Sequence, residues 1–273
     1  AEYGDGTGSI GVIGSILAST ITLSVPASVV NFEVGMTIKA STSPGVGEQA
    51  GSLVISGVNR STGVLTFTVA VTTGIPTAVA TQSLHVAGDF NAKVSGLAAW
   101  VPLADPSATP FFGVDRTSDV TRLGGIRLDV SALPIEEGCI ELAALIAREG
   151  GTPSHDFMNF SNYANLEKAL GSKVQYINSM SEDAAISFSG IQIHGQKGFI
   201  KVIPDQNCQA DRMYMLQLDR WKLYSLGMAP KLLKSDGMEF LRVSTEDAVE
   251  VRVGYYAQMG TDAPGWSGVG QLS

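Results

Sequence analysis

The chain has 273 residues, 44% of them hydrophobic and only 16% charged, with a net charge of −8 and an isoelectric point near 4.9. A chain of this length buries roughly 70–75% of its unfolded surface, enough for one large domain or two medium ones. The acidic balance excludes a dedicated nucleic-acid binder, whose affinity comes from Lys and Arg on phosphates, and no apolar run approaches the ~18 residues of a membrane span. Charged residues fall below the ~25% usual in globular proteins, which leaves neutral surface suited to packing against copies of the same chain.

The N-terminus, Ala1-Glu2-Tyr3-Gly4-Asp5-Gly6, lacks the basic stretch and apolar core of a signal peptide. It also lacks an initiator Met, as expected of a chain trimmed after synthesis or of a piece of a longer one. From there to Phe90 the only basic residues are Lys39 and Arg60, and short β-branched runs alternate with Gly and Pro. Ile21, Leu23 and Val25 alternate with polar neighbours, a strand ended by Pro26; Phe32 to Ile38 approaches a second. Leu53 to Val58 and Val64 to Val69 flank Asn59-Arg60-Ser61-Thr62-Gly63, a hairpin with turn chemistry at its centre. Gln82 to Val86 predicts a last strand. About five strands in so short a stretch predict an all-β small barrel or sandwich.

Asn91 to Ala132 is punctuated by Pro102, Pro106, Pro110 and Gly124-Gly125, and predicts an extended segment that something else must pack on. Pro134 then opens a helix that Gly150-Gly151 stop, with Glu136 and Glu137 in its first turn and Arg148 in its last. Ile135, Cys139, Ala143 and Ile146 make its apolar face. A second helix spans Asn162 to Leu170, with Gly171 as its stop. Strands are predicted at Ala185–Ser189, Ile191–His194, Gly198–Ile203 and Met213–Leu218. Val249 to Ala257, with Val249, Val251 and Val253 set against Glu250 and Arg252, predicts one long strand. The C-terminal part is thus expected to be α+β.

Little in the chain suggests chemistry. His85, His155 and His194 stand without an HxH, HExxH or Cys/His cluster, so no metal site is expected. His155-Asp156 lacks a nucleophile elbow to complete a triad, and no catalytic or cofactor-binding residue is assigned. Cys139 and Cys208 have no CxxC spacing and are taken as reduced thiols. Gly4 to Gly8 lacks the Lys of a phosphate loop, and Asp115, Arg116 and Asp119 lack the spacing of a calcium loop. The aromatics Phe111, Phe112, Trp221, Tyr224, Tyr255, Tyr256 and Trp266 have too few interleaved cations for a nucleic-acid platform and point to packing.

From Gly88 onward the chain resembles the tailed-bacteriophage major capsid proteins of the Hong Kong-type capsid fold, in the subgroup with an inserted β-domain. The resemblance rests on an ordered series. It comprises Gly88-Asp89-Phe90-Asn91, Phe111-Phe112-Gly113-Val114-Asp115-Arg116, Leu123-Gly124-Gly125-Ile126-Arg127, Met158-Asn159 and Gly171-Ser172-Lys173. It continues through Ile200 to Asp205, Tyr214 to Leu218, Trp221 to Ser225, Ala229-Pro230, Ala248 to Tyr256 and Ala263-Pro264-Gly265.

The resemblance implies an α+β phage capsid fold of peripheral and axial domains, with the N-terminal all-β barrel or sandwich added. The parts it implies are an N-terminal extension (1–17), the β-domain (18–90) and an extended arm (91–133). A spine helix (134–151, short for that role), an axial domain (152–235) and return strands with a tail (236–273) follow. No full N-terminal arm can be placed before Ile21, and an extended hairpin loop would lie within 98–127 or upstream. The function implied is a self-assembling, non-enzymatic shell subunit without cofactors. It would be made in the bacterial host cytoplasm and enclose double-stranded DNA in the virion head as pentamers and hexamers. Its other partners would be portal, scaffold or protease, and decoration proteins; the DNA would be touched only non-specifically, and a membrane not at all. Phe111, Phe112, Trp221 and Tyr224 are taken as the subunit-interface residues. The alternatives are a β-rich tail, fibre or carbohydrate-binding module, and a hydrolase using His155.

Overall fold

The computed structural model describes residues 3–170, 177–178, 189–227, 231–232, 237, 240–243, 248–254 and 256–272. The expectations for 185–188, Gly171, Ala229-Pro230 and Tyr255 lie outside them.

Alternation of apolar and polar residues in the first ninety positions closes a barrel. Its strands are β1 (Ser9–Leu17), β2 (Thr20–Leu23), β3 (Thr37–Ser43), β4 (Val46–Glu48), β5 (Leu53–Asn59), β6 (Val64–Phe67) and β7 (Ser83–Val86). They pair in the order β4-β3-β5-β6-β2-β1-β7, and β7 returns to β3, so six strands form a ring from which β4 hangs. The inward set follows the period of two: Ile21 and Leu23, Ile38 and Ala40, Leu53 and Ile55, Leu65 and Phe67 are all buried. Phe32 and Val29, from the Pro26–Asn31 turn of 3-10 helix, and Val71 and Ile75, from the short helix α1 (Val71–Gly74), fill the ends. Each such side chain contributes roughly 1.5–3 kcal/mol by leaving water. The β5–β6 turn is held by Asn59, whose Oδ1 accepts from Ser61 N at 3.1 Å and Thr62 N at 3.3 Å, while Gly63 takes φ +68°.

The segment expected to be extended instead carries α2 (Leu97–Trp100), a 3-10 turn at Arg116–Asp119, α3 (Val120–Gly124) and β8 (Ile126–Asp129). Then come α4 (Ile135–Arg148), β9 (His155–Met158) and α5 (Phe160–Leu170). β10 (Ile177–Asn178) and β11 (Ser189–Gly190) pair with each other, and β12 (Gln192–Gly195), β13 (Gly198–Pro204) and β14 (Arg212–Leu216) follow. The remaining strands are β15 (Trp221–Ser225), β16 (Lys231–Leu232), β17 (Leu241–Arg242), β18 (Val249–Glu250), β19 (Val253–Gly254), β20 (Ala257–Thr261) and β21 (Gly268–Gln271).

This architecture overturns the expected α+β capsid fold. Strands account for 37% of the chain and helices for 23%, so sheets rather than helices organise it. One sheet also draws on distant stretches of the chain. β9, β13 and β14, expected in one domain, share a mixed six-stranded sheet, β12-β13-β9-β14-β21-β8, with β21 of the tail and β8 of the arm. The physical reason is β14, which is buried, so its backbone N–H and C=O groups must find strands on both edges. It finds β9 on one edge and β21 on the other. The predicted long strand at Val249–Ala257 is likewise replaced by β18, β19 and the start of β20, each on a different partner.

The sheet has a cover on each face. Met213 and Met215 face α4, which buries Cys139, Leu142, Ala143 and Ile146 against them, with Leu166 of α5 alongside. Tyr214 and Leu216 face the other way, into a cluster with Tyr3, Leu97, Val101 and Val269 and the flanks of Trp100, Trp221 and Met259.

One polar group lies under α4. Asp156 of β9 is fully buried between Val202 and Met215 of the neighbouring strands; its Oδ2 meets the Cys139 thiol at 3.6 Å and its Oδ1 has no hydrogen-bond partner. Burial pushes its carboxyl up to about 7, and burial beside that carboxylate pushes the Cys139 thiol up as well. A raised carboxyl in the folded state means full stability below the unfolded value near 4, lost as the pH climbs to about 7. Asp156→Asn is therefore expected to leave stability at pH 4 nearly unchanged and to raise it at pH 8 by roughly 4 kcal/mol. Denaturant melts at the two pH values check this, and an equal effect at both would refute it.

Candidate functional site

Trp100 ends α2 and is held by its indole Nε1, which donates to the Met259 carbonyl of β20 at 2.9 Å. Two phenylalanines gather on it. Phe111 meets it edge-on at 5.0 Å and 88°, Phe112 lies nearly parallel at 5.8 Å and 24°, and the two phenyl rings touch at 4.6 Å. Such pairs contribute ~0.5–1.5 kcal/mol beyond their burial. Arg116 closes the cluster from beneath. Its guanidinium stands 4.2 Å over Phe111 and donates to the Ala99 carbonyl at 2.8 Å; burial, then the charge of Arg127, lowers its pKa.

The backbone that presents Phe112 is unusual for that residue. Phe111 and Val114 exchange both hydrogen bonds, at 2.9 and 3.1 Å, leaving Phe112 and Gly113 as a two-residue turn with φ of +49° and +82°. Both central residues are left-handed, the geometry of a type I′ turn that favours Asn or Gly at its first position. A side chain with a Cβ costs roughly 1–2 kcal/mol there, and this one is 60% exposed. Asp115 then anchors the chain by accepting from Thr117 Oγ1 at 2.7 Å and Thr117 N at 2.9 Å, bonds that hold its carboxyl below the usual range.

The β15–β20 ribbon brings the fourth ring. Tyr224 faces Gln258 across the ribbon and Gly260 on the diagonal, where a Cβ would lie 2.9 Å from the tyrosine ring and 3.9 Å from Trp100. A glycine at 260 thus lets Tyr224 lie down beside Trp100, a cross-strand packing of ring on glycine. Tyr224 remains 62% exposed and Leu223, on the opposite face of the ribbon, 63%. Trp221 differs from the other three. It is half-buried in the cluster beneath β14, with Nε1 donating to Ser267 Oγ at 3.1 Å, so its role in the fold is an internal one.

Of the four residues expected at an interface, Phe111, Phe112 and Tyr224 therefore converge on Trp100, and Trp221 anchors the ribbon behind them. The sequence reading missed Trp100 and Gly260. Trp100 stands two residues before Pro102 in a segment read as a bare arm, and only the unpaired need of Phe111-Phe112 for a distant cover hinted at it.

No family model matches the chain, and no curated protein does. Among solved structures it is similar to a chain of the cyanophage A-1(L) capsid asymmetric unit. The TM-score is 0.43 at 14% identity, over 68% of this chain and 61% of that one. The chain thus spans about 61% of the length of that capsid chain.

The histidines do not assemble a site. His85 is buried in the barrel at 3.3 Å from Glu48 Oε1, and the ring of His194 packs edge-on to Phe199. His155 contacts Ser154 Oγ at 2.9 Å, and burial followed by the charge of Lys201 lowers its pKa. Adjacent residues of a strand point to opposite faces, so His155 cannot reach the buried Asp156 that a triad would need. Among the described residues no three His, Cys, Asp or Glu groups are placed to hold a metal, and Cys139 and Cys208 are free and buried apart. A cleft of about 280 Å³ beside Leu103 and Leu128 is walled by Arg127, itself bound to Asp105 at 3.0 Å.

The strain at Phe112 separates stability from use. Phe112→Asn puts the residue that the turn favours in place of an exposed ring. Relief of the backbone offsets the lost ring contacts, so its unfolding free energy is expected to match that of the parent to within about 1 kcal/mol. A loss of 2 kcal/mol or more would show that the ring serves the fold instead.

Proposed function

We propose that this chain is a shell-forming structural subunit of a tailed-bacteriophage head, its major capsid protein, acting by self-association and without catalysis. The observation that carries this reading is the aromatic surface at Trp100. Two distant stretches, 97–116 and 221–260, meet there to expose Phe112 and Tyr224, the first of them on a strained backbone. Strain held at an exposed aromatic is explained by what the ring does in a complex rather than by the stability of the free chain. The ordered motifs from Gly88 to Gly265 support the same class.

In such a shell, rings built from repeated contacts close on five and six copies, and each subunit is held by several neighbours at once. Individual contacts can then be weak. The net charge of −8 keeps free copies soluble and keeps the enclosed DNA at arm's length. The virion head is where the protein would reside, with portal, scaffold or protease and decoration proteins as its other partners.

The test is assembly of the chain with its neighbouring gene products, followed by electron microscopy and sedimentation. Phe112→Ala and Phe111→Ala are expected to leave a folded subunit and to reduce shell yield at least fivefold. Unchanged shells from both variants would retire the aromatic surface as the contact. A stable trimer that binds glycans would favour the tail or fibre class instead.

A further inference from the structure

The mixed sheet is covered unevenly. On the face away from α4, the cluster around Tyr214 covers β14, β21 and the flank of Phe157, and none of its members comes from β12 or β13. Ile193, Ile200 and Val202 of those two strands face α4, so the alternate residues point to solvent. Across the hairpin His194 stands opposite Phe199 and Gln192 opposite Lys201; across the parallel pair Lys201 stands opposite His155. Phe199 is 65% exposed, with its ring edge-on to His194 at 5.0 Å. Lys201 is exposed beside it, as is Lys197 in the turn immediately before β13. Among the described residues neither lysine has an acidic partner.

The other side of this layer is the outer face of α4. Gly138, Cys139, Leu142, Ala143 and Ile146 turn inward, which leaves Glu137, Ile140 and Glu141 outward and exposed. Glu137, in the first turn, is accounted for by the helix dipole. Glu141 stands four residues further on, a spacing at which like charges destabilise a helix. Among the described residues neither carboxylate has a basic partner. Two patches of the same make, an exposed apolar side chain between unpaired charges, thus lie on opposite faces of one layer, and their charges are of opposite sign. For a chain of net charge −8, a basic patch is where a second copy meets attraction instead of repulsion. A contact between two different faces is heterologous, the kind that repeats head to tail and closes into a ring.

We propose that the Phe199 face of one copy packs on the outer face of α4 of the next, Phe199 against Ile140, and Lys197 and Lys201 against Glu137 and Glu141. The contact rests on the self-association reading above and gives it a direction, since each copy offers one face forward and the other behind. It uses none of the residues gathered on Trp100.

The test is charge reversal in the full chain, read by sedimentation velocity over a range of concentrations. Lys201→Glu and Glu141→Lys each set like charges across the contact, and each is expected to weaken self-association roughly tenfold or more. Both together in one chain restore an opposite pair, and association is expected to return to within about threefold of the parent. Positions 141 and 201 lie on opposite sides of the sheet within one copy, so only a contact between copies lets the second reversal repair the first. Single variants that associate like the parent overturn the contact. So does a double variant no better than Lys201→Glu alone, which would assign that face to an acidic partner other than the chain itself. If circular dichroism shows either reversal unfolded, Lys201→Gln and Glu141→Gln replace the pair. Each is expected to weaken association about threefold, less so in high salt, and association unchanged by both overturns the proposal. A parent chain that stays monomeric throughout removes the self-association reading as well. A parent that associates, loses association in Phe112→Ala and ignores the charge variants removes this contact alone.

Discussion

The indole of Trp100 is the point on which both halves of the exposed surface depend. Its Nε1 donates to the Met259 carbonyl, an acceptor on β20 that no strand takes up, and Ser95 N finds Gln258 Oε1 one residue away. These two bonds fasten the segment after the barrel along the open edge of the ribbon. Edges left open invite another strand, and proteins cover, charge or bend them. At its base this ribbon meets a tryptophan, which serves as the floor for Phe111 and Phe112, with Tyr224 over Gly260 nearby.

What was legible in the sequence was what local chemistry decides. The Asn59–Gly63 turn, the alternation at Ile21 and Leu23, and the helix from Pro134 to Arg148 each follow from a few neighbouring residues, and each is found within a residue or two of its expected place. What was not legible was pairing at a distance. β8, β9 and β21 come from three separate stretches, and nothing local to Ile126–Asp129 says that it will lie parallel to Gly268–Gln271. Pro102, Pro106 and Pro110 were read as marks of an arm, yet the chain folds back between them because Leu97, Val101 and Leu103 have an apolar face of the sheet to cover. Three of the four aromatic candidates were brought together for the same reason. Large rings in an irregular segment must be covered, but the cover, Trp100, was invisible to a reading that followed periodicity.

Two features of the molecule run against its own stability, and they lie in different places. Phe112 holds a left-handed backbone for an exposed ring, and Asp156 keeps a carboxyl under α4 with one oxygen unpaired. Each costs the free chain of the order of 1–3 kcal/mol, a sizeable share of the 5–15 kcal/mol that separates folded from unfolded domains. The first is accounted for if the ring is used against a neighbour. For the second, the geometry provides only a cause of pH sensitivity. Asp156, Cys139 and Met213 meet where helix and sheet join, so ionisation of the carboxyl loosens that junction.

The barrel and the ribbon solve the edge problem in opposite ways. Returning β7 to β3 leaves the six-membered ring without a free ladder, and its exposed valines, such as Val34 and Val79, are scattered singly, as is ordinary for a protein surface. The ribbon has the minimum number of strands and the maximum of edge. Its residues 221–261 carry no net charge.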